Sequence, residues 1–297
     1  MVKTEKWKVF NFEGAIRGMR TSLDHYDGTD SFVEYILDTL NGTNTDGKPA
    51  EIKITNENFV FGENDLNLAK DLIKNGPPYR KFLNQILVSV DITGPLYWLR
   101  ELDSYTKGTD SGNLADIIYK YPITKELFST DGMSEASIKI MENYLKQIEK
   151  LRKKLLDEGK SNKQILIEIA CMIPESWNQK RTYVFSYETL LNIVKDKQND
   201  RSIEWISFIT QAKESCPYFD ELIIFYINYE KDVNMKVSRY DEMVDAISLY
   251  VATYGSLSEE QKEEARRKLD ELEASRRQSE IPISNTNKPV VAVRSII

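Results

Sequence analysis

Three stretches of this sequence mix cations, hydroxyls and aromatic rings more densely than a plain hydrophobic core requires. In Arg17-Gly18-Met19-Arg20, two arginines stand three residues apart. On a helix or tight turn both point to one side, a geometry suited to holding phosphate or carboxylate, and equally one for two surface arginines. A second stretch runs from Tyr79-Arg80-Lys81-Phe82 through Asp91-Ile92-Thr93-Gly94-Pro95-Leu96-Tyr97-Trp98 to Arg100-Glu101-Leu102-Asp103-Ser104-Tyr105-Thr106-Lys107-Gly108-Thr109. Here an apolar run gives way to hydroxyls, Gly and Lys, as where a pocket floor meets its rim. Tyr97 and Trp98 also suit core packing. The third stretch is Trp177-Asn178-Gln179-Lys180-Arg181-Thr182-Tyr183. In an extended chain Gln179 and Arg181 face one way and Lys180 the other. Fixed donors beside rings suit a nucleotide, the donors for phosphate and base edges, the rings for stacking.

Composition removes several other chemistries. The 297 residues include two cysteines, Cys171 and Cys216, and one histidine, His25. That excludes a disulfide scaffold, Cys-rich zinc or iron–sulfur sites, HExxH proteases and multi-histidine metal centres. No GxSxG elbow exists to partner His25 in a triad. Cys216, in Ser215-Cys216-Pro217, reads as structural. Chemistry must run on a cofactor, on carboxylates, or on Arg, Lys and Tyr groups. With 47 acidic against 40 basic residues, the net charge is −7. A protein that coats nucleic acid or an anionic membrane leans the other way. The start lacks the apolar core of a signal peptide, and no uncharged run suggests a membrane span, so a soluble cytoplasmic protein is expected.

The elements that must position these residues begin with β-prone segments. Lys6–Phe12 is aromatic-rich, and Glu51–Thr55 and Asn58–Gly62 follow the loop Asn41–Ala50 as two runs that pair as a hairpin. From Asn64 the period becomes helical, and Gly76-Pro77-Pro78 stops it. Helices then dominate: Ser134–Glu158, closed by Gly159, then Ile165–Ile173, Tyr187–Lys197, Ile203–Lys213, Pro217–Tyr229 and Ser238–Tyr254. Ser258-Glu259-Glu260-Gln261 is a capping box opening a charged helix to about Ser275. Its Glu263–Arg267 and Glu264–Lys268 spacings suit a solvated helix. The polar end, Ser279–Ile297, carries Val290, Val291, Val293, Ile296 and Ile297 as a free tail or a strand laid on a neighbour. A domain over 1–255 followed by a charged helix and tail over 256–297 is expected.

The order Gly76-Pro77-Pro78-Tyr79-Arg80-Lys81-Phe82, apolar run, Tyr97-Trp98-Leu99-Arg100-Glu101-Leu102-Asp103-Ser104-Tyr105 resembles the core of flavin-dependent thymidylate synthases, in the divergent form of phage and firmicute genomes. Asn178-Gln179-Lys180-Arg181-Thr182, then Tyr187 to Asn192 and Ile203-Glu204-Trp205, is similar to that family's C-terminal helical signature. The likeness spans about residues 8 to 230 and rests on order and spacing. At the family's Arg-His-Arg stands Arg100-Glu101-Leu102, and at its Asn-x-Arg stands Ser186-Tyr187-Glu188. Asn192 sits where the family has His or Asn.

The resemblance implies an α+β fold, helix-rich, with a small antiparallel sheet flanked by helices. It implies a homotetramer binding dUMP and FAD between subunits, methylene-tetrahydrofolate as carbon donor and NADPH as reductant, with no enzyme nucleophile on the uracil ring. It places Arg80, Arg100, Lys180 and Arg181 as the available cations, and Ser104, Thr106, Thr109 and Gln179 as neutral donors. Arg100, Ser104 and Thr106 are expected along the nucleotide or flavin phosphate, with Gln179 and Arg181 facing them and Asn192 nearby. Lys180 or Arg181 must then offset the charge of Glu101 and Glu188. Two other readings stand beside the enzyme: an inactive relative that binds or sequesters a nucleotide, and a helical structural or interaction protein.

Overall fold

The computed structural model describes residues 1–21, 28–39, 52–109, 118–253 and 258–278. His25, the loop Asn41–Ala50 and the tail beyond 278 lie outside them. The chain divides into two compact units, Met1–Ile224 and Phe225–Ile297. The first is helix-rich with small antiparallel sheets, as the resemblance implied.

Its central sheet has three antiparallel strands in the order β1 (Lys3–Phe10), β4 (Leu87–Pro95), β5 (Asn178–Ser186). Alternation on β4 buries Val88, Val90 and Ile92 completely. Opposite them on β5 stand Phe185, Tyr183 and Arg181, so these share the covered face. The other face carries Asp91 and Thr93 of β4 beside Lys180 and Thr182 of β5 and Glu5 of β1. A bulge between Glu5 and Lys8, with Lys6 at φ 55°, bends β1. The strand begins earlier than Lys6, and Phe12 opens helix α1 (Phe12–Arg20) instead of ending the strand.

The second sheet corrects an expectation. Glu51–Thr55 and Asn58–Gly62 do not pair with each other. A single strand β3 (Ile52–Val60) takes in most of both and pairs antiparallel with β2 (Phe32–Thr39). No turn residue between Thr55 and Asn58 reverses the chain, since Asn56-Glu57 lacks the glycine of a two-residue hairpin. Helix α2 (Glu63–Lys74) follows and ends before Gly76, which adopts φ 87°.

Helix α3 (Leu96–Leu102) rises directly from β4. Helices α4 (Glu135–Asp157) and α5 (Asn162–Ala170) pack around Met141, Leu145, Ile148, Ile165 and Ile169, together with Trp177. Ser134 caps α4, its hydroxyl accepting the Ser137 N–H, and Gly159 beyond its end has φ 69°. Helices α6 (Tyr187–Lys197) and α7 (Ile203–Ser215) follow β5. Under the sheet Trp98, Trp205 and Phe208 meet, with Trp98–Trp205 centroids at 5.0 Å. A second aromatic group joins Phe12, Phe59, Phe61, Tyr187 and Tyr218.

Beyond a π-helical turn over Asp220–Ile224, the second unit holds α8 (Phe225–Thr253) and α9 (Glu259–Gln278). Pro217–Tyr229 and Ser238–Tyr254 are therefore not two helices. No Gly or Pro interrupts residues 230–237, so one helix continues through them. The capping box at Ser258 forms, Gln261 N–H donating to the serine hydroxyl and Ser258 N–H to Gln261 Oε1. Lys268 pairs with Glu264 as its spacing suggested, whereas Arg267 reaches Glu271. No helix among the described residues is long and apolar enough to cross a membrane.

Candidate functional site

The covered face of β5 meets the end of α3 at Asp103. Arg181 donates through Nη1 to Asp103 Oδ2 at 2.6 Å, and Tyr183 donates its hydroxyl to Oδ1 at 2.9 Å. The rest of the Arg181 fork, Nε and Nη2, holds Gln179 Oε1 at 3.1 and 2.8 Å. Period-two geometry thus brings Gln179, Arg181 and Tyr183 into one group, closed by a carboxylate from the first matched block. Burial and the Asp103 bond push the Tyr183 phenol well above its ordinary range. Gly108 crosses the Tyr183 ring, where an added Cβ would come within 2.6 Å of Cζ. Only a residue without a side chain permits that approach.

Lys180 points to the open face, as its alternation required. Its Nζ donates to Glu5 Oε2 at 2.5 Å and lies 3.8 Å from Asp91. Arg100, on the last turn of α3, pairs with Glu175, and both side chains are more than half exposed. Ser104 donates its hydroxyl to the Glu101 carbonyl at 2.6 Å, and Thr106 donates to the Val184 carbonyl at 3.2 Å. Thr106 therefore straps the segment after α3 to β5.

Arg80 belongs to a different group. Its guanidinium is buried against Glu188 at the start of α6, with Nε donating to Oε2 at 3.0 Å and Nη2 to Oε1 at 2.9 Å. Asn192, half-buried, stands one turn further along α6. Glu188 and Glu101 are thus neutralised, but not by Lys180 or Arg181. Arg80 takes Glu188. Glu101 accepts from Lys197 Nζ and from Trp205 Nε1, the latter at 2.9 Å. The Lys197 ammonium also lies 5.1 Å from the Trp205 ring centroid.

Sequence reasoning passed over Asp103 and Tyr183, the members that tie the group together. Tyr183 shares the parity of Gln179 and Arg181, and that signal could have found it. Asp103 lay inside the matched block, but its partner is 78 residues away and no local spacing announces it.

The arrangement sorts the four expected cations by how readily each can turn to a ligand. Arg80–Glu188 is buried, and opening it leaves a charge without water. Arg181–Asp103 is partly covered, with side chains 15% and 31% exposed. Arg100–Glu175 and Lys180–Glu5 are exposed pairs of the kind that exchange with solvent and competing anions. Ser104 stands four residues after Arg100, its hydroxyl turned to the Glu101 carbonyl. Cys216 offers no nucleophile: it is buried, and that burial pushes its thiol up to about 12.

This fold is that of the flavin-dependent thymidylate synthases. The chain is similar to the structure of thymidylate synthase X (ThyX) from Helicobacter pylori solved with FAD and dUMP, at 14% identity and a TM-score of 0.51. The match covers 76% of this chain and 98% of that one. A second structure, flavin-dependent thymidylate synthase ThyX from Helicobacter pylori complexed with FAD and dUMP, gives 15% identity over 75% of this chain and 97% of that one, with a TM-score of 0.49. No protein-family model and no curated protein matches the sequence.

Proposed function

We propose that this chain is a thymidylate synthase X-like enzyme that binds dUMP or a related nucleotide together with FAD and reductively methylates the uracil ring. The observation that carries this reading is the fold, shared over nearly the whole of a structure that holds FAD and dUMP. The chemistry FAD supplies when bound is hydride transfer, and methylene-tetrahydrofolate and NADPH complete the reaction. The chain's own residues supply positioning and charge. Arg100 leaves Glu175 for the phosphate, and the Ser104 and Thr106 hydroxyls border it. Gln179 and Arg181, held by Asp103, form a rigid wall of donors whose orientation is fixed before a ligand arrives. Arg80 acts at a distance by neutralising Glu188 under α6, and Lys180 serves the opposite face of the sheet. The site is shared between subunits of a homo-oligomer, a dihedral tetramer, in a protein of the cytoplasm, and the sequence form is the divergent one of phages and firmicutes.

A second reading is favoured by one specific observation. Each of the four cations already has a carboxylate partner in its own chain. An inactive relative that binds or sequesters a nucleotide needs only the exchangeable Arg100, and not a full set of free charges. Calorimetry with dUMP separates the parts. The wild type is expected to bind, Arg100→Ala to weaken binding about tenfold, and Arg181→Ala to weaken it further by unlocking Gln179 and leaving Asp103 uncompensated. Absence of dUMP binding by the wild type overturns both readings.

A further inference from the structure

Helix α1 and the β2–β3 pair enclose a cavity of about 390 Å³ that contains none of the residues of the Asp103 group. Its lining includes Glu13, Arg17 and Arg20 of α1 and the rings of Phe32, Tyr35 and Phe59. A larger cleft of about 960 Å³ between β1, α1 and β3 also includes Arg17, Glu13 and Phe59, so Arg17 borders both spaces. Such volumes are those of small-molecule sites.

The two arginines differ in their circumstances. Arg20 lies on the buried face of α1, and its Nε is held by Asp65. Asp65 is fully buried and also accepts from the hydroxyls of Thr29 and Ser31, each at 2.6 Å. Arg20 is therefore fixed in place, while among the described residues its Nη1 and Nη2 meet no acceptor. Arg17, one turn back, is exposed and enters no ion pair among the described residues, although Glu13 precedes it by four positions on the same helix. Beside this fork, Phe32 and Tyr35 remain 56% and 52% exposed. A fixed cation, an exposed cation and an uncovered ring in one concavity match a ligand that joins an anion to a planar ring.

We propose that this cavity binds a phosphate monoester bearing a planar ring, with Arg17 and Arg20 on the phosphate and Tyr35, which shares a strand face with Val33 opposite Phe59, on the ring. Arg17 closes over the phosphate and Arg20 receives it from below. Glu13 opposes a doubly charged ligand, and so sets an upper limit on affinity. The inference rests on α1 and β2–β3 alone and is independent of the thymidylate reading.

Calorimetry of the full chain with phenyl phosphate tests it, with inorganic phosphate and phenol as comparison probes. Phenyl phosphate is expected to bind more tightly than either fragment. Arg17→Ala should weaken it about tenfold, and Glu13→Gln should tighten it. Tyr35→Ala should remove the advantage of phenyl phosphate over inorganic phosphate and leave the latter unchanged. Arg17 and Tyr35 are exposed, so an unchanged melting temperature shows that these variants fold. Failure of phenyl phosphate to bind, equal binding by Arg17→Ala, or loss that follows Arg181→Ala and not Arg17→Ala would each overturn the proposal.

Discussion

Asp103 shows how single residues carry this site. Its two oxygens fix Arg181 and Tyr183 from a strand that the sequence places far downstream. Asp103→Asn keeps the shape but removes the charge, so Arg181 loses its counter-ion where little water reaches. That variant should lose about 1–3 kcal/mol of stability by urea denaturation, with nucleotide binding falling in parallel. The Arg80–Glu188 pair is more deeply buried, and Glu188→Gln should cost about 3–5 kcal/mol in the same measurement. A loss below about 1 kcal/mol would show that Arg80 finds water or another acceptor. The cysteines give an independent check. Cys171 is exposed, whereas Cys216 is buried with its thiol pushed up to about 12. A thiol reagent should therefore modify one cysteine quickly in the native protein and the second only on unfolding.

At the scale of elements, the sheet and the helix ends decide what the side chains can do. Gly108 lies so close to Tyr183 that Gly108→Ala must displace the ring or the segment after α3. It should cost about 1–3 kcal/mol and loosen the Asp103 group. The join between α1 and α2 runs through Asp65. Burial alone would raise that carboxyl, but bonds from Ser31, Thr29 and Arg20 hold it below its ordinary 3.8. As pH falls the unfolded chain takes up this proton before the native one does. The stabilisation is therefore complete above that value and is lost as pH drops through the lowered folded one. Asp65→Asn should destabilise at neutral pH and flatten the acid limb of a stability–pH curve.

These elements also show what a sequence discloses. Helices α2, α4 and α6 were legible because apolar spacing, caps and stop residues agree over several turns. The opposition of Gln179 and Arg181 to Lys180 followed from strand parity alone. The pairing of β2 with β3 was not legible, because two β-prone runs separated by Asn56-Glu57 look like two strands until a partner is known. The charge partners were hidden for the same reason. Arg80 and Glu188 are 108 residues apart, and only the fold makes them neighbours.

For the whole molecule, the fold is similar to that of a flavin-dependent thymidylate synthase structure at 14% identity, so the likeness is one of fold and not of sequence. The proposed function shares its site between subunits, and on that proposal light scattering at micromolar concentration should give a multiple of 34.4 kDa. Deleting residues 256–297 should leave both that mass and nucleotide binding intact if the charged C-terminal helix is a solvated appendage. Loss of the oligomer would make that segment part of the assembly. Flavin binding bears on function most directly. FAD is titrated into the purified protein with and without dUMP, while the visible flavin spectrum and the bound fraction are followed. The expected result is a perturbed, protein-bound flavin spectrum that dUMP alters further and that Arg100→Ala weakens. A flavin that stays free at every concentration, with or without dUMP, would contradict the enzyme reading; dUMP binding without flavin would leave the nucleotide-binding relative in its place.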